Sequence, residues 1–77
     1  DKLSDTFLAE KNMEEVITEA INSLPPKCRE IFILSRYEGL KYREISEHFN
    51  ISVNTVENQM SIALKKLRLK LKDYIDA

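Results

Sequence analysis

Small polar side chains recur at helical spacing between residues 52 and 65, and they are the groups of this chain best suited to contact another molecule. Asn54 and Asn58 are one helical turn apart, so their amides project in the same direction. An asparagine amide donates and accepts hydrogen bonds, which matches the N7 and N6 edge of adenine in the DNA major groove. Ser61 and Lys65 continue this face, and a lysine there can neutralise a phosphate. On the second helix of a helix-turn-helix, this pattern predicts contact with duplex DNA, whereas on an ordinary helix it would indicate solvated side chains.

The residues around this stripe are further candidates. Ser52 can cap a helix, and the free backbone N–H groups of the first turn favour a phosphate. Glu57, on a flank of the helix, would repel phosphate but can accept from a cytosine amino group. Each residue also has an ordinary structural role as a cap or a solvated side chain. The predicted DNA contacts are Lys41, Tyr42, Arg43, Ser52, Val53, Asn54, Thr55, Glu57, Asn58, Ser61 and Lys65.

The composition favours an all-α fold to hold these residues. One Gly and two Pro leave few breaks, and 43% of the residues are hydrophobic, while helix-forming Leu, Lys and Glu are prominent in the sequence. We expect a single small domain over residues 12–77, preceded by a linker end at residues 1–11 that is flexible or loosely helical. The four predicted helices cover about residues 13–23, 26–38, 42–49 and 53–74.

Apolar residues at steps of three and four predict the buried face of each helix. The predicted inward residues are Met13, Val16, Ile17, Ala20, Ile21 and Leu24 in the first helix, Cys28, Ile31, Phe32, Leu34 and Ser35 in the second, Ile45 and Phe49 in the third, and Val53, Val56, Met60, Ala63, Leu64, Leu67 and Leu71 in the fourth.

Cap residues predict where the helices begin and end. Asn12 with Glu15 forms a capping-box pattern at the first helix, and Ser52 is the N-cap of the fourth. Gly39 and Asn50 stand where a left-handed residue ends a helix. A short third helix, a tight turn and a fourth helix that opens with small polar residues form the layout of a helix-turn-helix.

Other classes of function find little support in the sequence. His48 is the only histidine and Cys28 the only cysteine, too few for a zinc set or a catalytic triad, and a single glycine excludes a glycine-rich phosphate loop. We therefore expect no enzyme, no cofactor and no metal. No membrane-spanning run or signal pattern is present, and the lone cysteine favours a reducing cytoplasm. The start at Asp1 suggests a fragment of a longer protein.

The net charge of −1 conceals a gradient along the chain. Residues 1–38 carry five basic and eight acidic side chains, whereas residues 39–77 carry seven basic and five acidic ones. The basic half coincides with the predicted helix-turn-helix. This distribution suits phosphate neutralisation, although a run such as that from Lys65 to Lys72 also suits a solvated helix end.

Four segments in this order resemble region 4 of bacterial sigma factors of the extracytoplasmic-function type. They are residues 24–32 (LPPKCREIF), 37–45 (YEGLKYREI), 52–56 (SVNTV) and 63–68 (ALKKLR). The resemblance implies a four-helix domain of the winged-helix-like DNA-binding superfamily, without a wing. It also implies recognition of the promoter −35 element and docking on the β-subunit flap of RNA polymerase. An upstream region 2 and, in many members, an inhibiting anti-sigma factor belong to the same family expectation.

Two positions depart from the family pattern, and two alternatives stay open. Glu57 and Ile62 stand where relatives commonly carry basic residues, which predicts weaker DNA affinity. A response-regulator output domain shares part of the pattern but usually dimerises through its last helix, whereas a sigma domain should be monomeric. A helical protein-interaction module that no longer reads DNA is the other alternative, and it is suggested by Glu57, Ile62 and the outward-facing Leu69.

Overall fold

The computed structural model describes residues 12–76, with side chains as far as Tyr74. The linker end predicted at residues 1–11 lies outside the described residues. Four helices and no strand make up the described part, which confirms the all-α class. The helices are α1 Met13–Asn22, α2 Pro26–Arg36, α3 Tyr42–Phe49 and α4 Val53–Asp76.

Helix α1 begins at the predicted capping box. The Asn12 Oδ1 atom accepts from the Glu15 N–H at 2.8 Å, and the Glu15 carboxylate accepts from the Asn12 N–H at 3.3 Å. The helix ends at Asn22, one residue before the predicted end. Ser23 is the C-cap and keeps a near-helical backbone, with φ of −84° and ψ of −7°, so the difference is that between the last helical residue and its cap.

Helix α2 starts at Pro26, where a missing N–H costs no helical hydrogen bond. Its predicted end at residue 38 is wrong, since the helix ends at Arg36. The chain leaves the helix through a turn in which the Leu40 N–H donates to the Leu34 carbonyl at 3.0 Å. Gly39 adopts the predicted left-handed conformation, with φ of 75°.

The turn between α3 and α4 is fixed by backbone bonds and one side chain. Asn50 is left-handed, with φ of 57°, and the Ile51 N–H donates to the Ser46 carbonyl at 2.9 Å. The Ser52 hydroxyl then accepts from the Thr55 N–H at 3.0 Å, so the predicted N-cap is confirmed. These bonds satisfy the end of one helix and the start of the next.

Helix α4 is the central element of the domain. It packs against each of the other three helices, and α2 also packs against α3. With 24 residues it is about 36 Å long and runs two residues past the predicted end at residue 74, because no Gly or Pro interrupts it. The buried apolar core is formed by Ala20, Ile21, Leu24, Cys28, Ile31, Phe32, Ile45, Val56, Met60, Ala63 and Leu67.

Two residues predicted to face inward are exposed. Met13 is 44% exposed and Val53 is 39% exposed. Each is the first residue of its helix, and a helical side chain leans back toward the N-terminal end, here past the edge of the packed body. Val16 is buried as predicted.

Several other residues predicted to face inward are only partly buried. They are Ile17, Leu34, Ser35, Phe49, Leu64 and Leu71. A domain of this size buries a smaller share of its surface than a large one, so the margins of each apolar stripe remain accessible to solvent.

Candidate DNA-binding site

The helix-turn-helix is formed by α3, the turn at Asn50 and the first turns of α4. Ile45 of α3 and Val56 of α4 are fully buried in the core, where they hold the two helices together. Each such side chain contributes about 1.5–3 kcal/mol by burial. Because the apolar side of α4 is fixed in this way, the opposite side of its first three turns is held toward solvent.

The polar face of α4, defined as Asn54, Asn58, Ser61 and Lys65, is exposed along its whole length. Among the described residues, none of these four side chains has a hydrogen-bond or ion-pair partner. Successive members are three or four residues apart and therefore follow one side of the helix. The polar face thus presents two amides, a hydroxyl and an ammonium group that are available to a ligand.

Ser52 and Thr55 are already engaged within the domain. Besides the cap bond, their hydroxyl oxygens lie 2.9 Å apart, and Thr55 is partly buried. Val53 is exposed and is the first residue of α4. These residues therefore shape the start of α4, and the Ser52 hydroxyl retains access to solvent for an additional contact.

The start of α3 presents two exposed basic residues. The Lys41 backbone N–H donates to the Glu44 carboxylate at 2.7 Å. The Lys41 side chain takes no part in this bond and is exposed. The Arg43 Nε atom lies 3.7 Å from a Glu47 carboxylate oxygen, and both side chains are largely exposed. Exposed pairs of this kind contribute at most about 1 kcal/mol, so Arg43 can exchange this partner for a phosphate.

Tyr42 differs from its two neighbours, because it is partly buried and packs against the core. Ser46 is buried, and its hydroxyl donates to the Arg43 carbonyl at 2.6 Å. The burial of Ser46 was not predicted, because this residue lies beside the apolar stripe that Ile45 and Phe49 form on α3. Tyr42 thus joins the start of α3 to the core, whereas the Ser46 hydrogen bond lies within α3 itself.

The structure adds two basic residues to the candidate surface. Arg68 and Lys72 are exposed and follow Lys65 at steps of three and four, on the side of α4 that carries the polar face. The signal that could have identified them is the same helical spacing, continued beyond Lys65.

An open groove of about 230 Å³ lies between α2 and α3. Its lining residues are Glu30, Ile33, Leu34, Glu38, His48 and Phe49. The Lys27 Nζ atom lies 4.4 Å from the centre of the Phe49 ring, which gives a cation–π contact beside the groove. This α2–α3 groove combines apolar side chains with two carboxylates, and none of its residues belongs to the polar face.

Cys28 has a structural role. Its thiol is buried and donates to the Gln59 carbonyl at 3.4 Å, linking α2 to α4. Burial raises the pKa of the thiol, and the positive charge of Lys66 partly opposes that effect. A thiol with a raised pKa forms little thiolate at neutral pH and is a poor nucleophile.

Two further properties concern the described residues as a group. No three His, Cys, Asp or Glu side chains among residues 12–74 are arranged to hold a metal ion. Within the same part of the chain, no helix is long and apolar enough to cross a membrane.

Comparison with known proteins decides the family. The family described as "Sigma-70, region 4" matches residues 14–67, which include all of α2 and α3 and most of α1 and α4. The chain belongs to the sigma-70 region 4 family. This region 4 chain is also 40% identical over 53 residues to RNA polymerase sigma factor SigV of Bacillus subtilis (strain 168). The alignment covers 69% of the chain and 32% of the relative, so the chain spans about a third of that protein's length. No solved structure is significantly similar to the chain.

The family assignment confirms the resemblance to region 4. It supports a DNA-binding role in transcription initiation. The individual DNA contacts stay predictions. The structure exposes nine of the eleven candidates and leaves Tyr42 and Thr55 partly buried.

Proposed function

We propose that this chain reads the −35 element of promoters as region 4 of an extracytoplasmic-function type sigma factor within RNA polymerase holoenzyme. The observation that carries the proposal is the exposed pair Asn54 and Asn58, which has no partner among the described residues and lies at the start of the second helix of a helix-turn-helix. An amide without an intramolecular partner loses no protein hydrogen bond when it binds a base edge. Lys41, Arg43 and Lys65 supply phosphate contacts on either side of the amides.

The double variant Asn54→Ala/Asn58→Ala tests this function. Each good bidentate base contact gives about 1–3 kcal/mol of discrimination, so the variant should lose at least about tenfold of its preference for the cognate over a scrambled duplex. Fluorescence anisotropy at low salt measures both affinities. Asn22→Ala is the matched control, since Asn22 is also exposed but belongs to α1.

Two results would contradict promoter reading. An unchanged preference in the double variant would show that the amides do not contact bases. Intact transcription from a matched promoter by a sigma factor carrying both substitutions would favour the protein-interaction module, which the exposure of Ile62 (41%) and Leu69 (57%) supports. Sedimentation addresses the response-regulator alternative, because a region 4 domain should be monomeric.

We further propose that the β-subunit flap of RNA polymerase docks in the α2–α3 groove. Ile33, Leu34 and Phe49 offer apolar contact, while the groove shares no residue with the polar face, so DNA and polymerase can bind together. Charge reversal by Glu38→Lys should weaken binding to a purified flap fragment. Glu14→Lys on α1 is the control with the same charge change. Equal binding by both variants and the wild type would exclude Glu38 from the contact.

A further inference from the structure

The charge of the helix-turn-helix is distributed unevenly. No lysine or arginine occurs between Arg43 and Lys65, so the turn and the first three turns of α4 contain no positive side chain of these types. Glu57 is the only charged residue of α4 before Lys65. The part of the domain proposed to enter the major groove therefore has a negative charge, with the basic residues placed on both sides of it.

Glu57 is placed beside the polar face. It follows Asn54 by three residues and precedes Ser61 by four, which puts it about 60° and 40° from these residues around the helix axis. The side chain is exposed, and among residues 12–74 its carboxylate has no hydrogen-bond or ion-pair partner. No contact among the residues that the structure describes accounts for an acid at this position.

A carboxylate in this place interacts differently with each base. Phosphates repel it, and the major-groove edges of guanine and thymine offer it only acceptors. Adenine has a donor at N6 but an acceptor beside it at N7. Cytosine presents its N4 amino group without an adjacent acceptor, which is the edge that Glu and Asp side chains recognise.

We propose that Glu57 selects a cytosine in the bound duplex and lowers the affinity of the domain for every sequence without one at that position. This inference rests on the function proposed above. In a complex with noncognate DNA, the carboxylate lies near phosphates and has no hydrogen-bond donor. In the cognate complex, the N4 amino group of the cytosine is that donor. Glu57 thus increases specificity through a penalty on the wrong sequences.

Parallel selections from a pool of random duplexes test the inference, using the 77-residue chain at low salt. The wild type should enrich a motif in which replacing one cytosine by thymine lowers the affinity about tenfold. In Glu57→Gln that difference should fall below about twofold, while the affinity for scrambled DNA rises. Glu14→Gln, which removes the same charge from an exposed position of α1, should retain the cytosine preference.

The selections separate failure of this inference from failure of the proposed function. If the wild type enriches a motif and Glu57→Gln binds all duplexes more tightly by one common factor, the carboxylate only repels phosphate, and the cytosine assignment falls. The same conclusion follows if the enriched motif contains no cytosine that depends on Glu57. If the wild type enriches no motif at all, promoter reading fails together with this inference.

Discussion

Ser52 combines two roles at one position, as the cap of α4 and as a candidate phosphate contact. Replacing it by alanine leaves the Thr55 N–H without its side-chain acceptor, now 3.0 Å away, and removes the partner of the Thr55 hydroxyl. We expect Ser52→Ala to lower the free energy of unfolding by about 1 kcal/mol, measured by urea denaturation. Ser61→Ala, at an exposed position inside α4, should change it by less than about 0.5 kcal/mol. Equal losses in the two variants would show that the cap contributes nothing.

Cys28 makes the stability of the domain depend on pH in the alkaline range. Burial raises the pKa of its thiol above the ordinary value of 9.0, so the folded state holds the proton more tightly than the unfolded state. The stabilisation is complete below the unfolded pKa and is lost as the pH rises through the folded one. Between pH 8 and pH 10.5 the wild type should therefore lose more unfolding free energy than Cys28→Ala. Other groups titrate in both proteins, and parallel pH profiles would rule out a contribution from the thiol.

Among the elements, the α2–α3 connection depends on the left-handed Gly39. A Cβ atom at this position would meet no heavy atom within 4 Å, so the cost of a substitution comes from the backbone alone. A left-handed L-residue costs about 1–2 kcal/mol, less for asparagine. Gly39→Ala should lower the melting temperature by several degrees, and Gly39→Asn by clearly less. If the two variants melted at the same temperature, the left-handed backbone would not be the cause.

The starts of the helices could be predicted from the sequence better than their ends. The starts of the helices follow from local chemistry, at the Asn12–Glu15 box, Pro26 and Ser52, and these were predictable. The end of α2 was not, because the turn that closes it is stabilised by backbone bonds that compete with the last helical turn. Periodicity likewise predicts which side of α4 faces the core, but not how far along the helix the core extends. Val53 was therefore predicted to be buried, although it lies beyond the edge of the core and is exposed.

The candidate site shows the same division between local and long-range information. Helical spacing alone places Asn54, Asn58 and Lys65 on one face, and their exposure in the structure agrees with that spacing. The α2–α3 groove could not be predicted in this way. It brings Glu30 and Glu38 together with His48 from another helix, and such a juxtaposition depends on how α2 and α3 pack.

At the scale of the whole molecule, the net charge of −1 opposes tight binding of the isolated chain to DNA. With three to five phosphate contacts, affinity should fall on the order of 100-fold between 50 and 200 mM salt. Tethering to RNA polymerase would supply a high local concentration, so weak intrinsic binding suffices for the proposed function.

The salt dependence of binding identifies which lysines contact phosphate. Each lost contact reduces the slope of log affinity against log salt concentration by about 0.9. Lys65→Gln should therefore lower the slope by about that amount and weaken binding to all duplexes nearly equally. Lys70→Gln is the matched control, because Lys70 is exposed on another side of α4, beside Ser23 of the α1–α2 connection. Equal slope changes in the two variants would mean that DNA responds to the total charge of α4, and Lys65 would then have no specific phosphate contact.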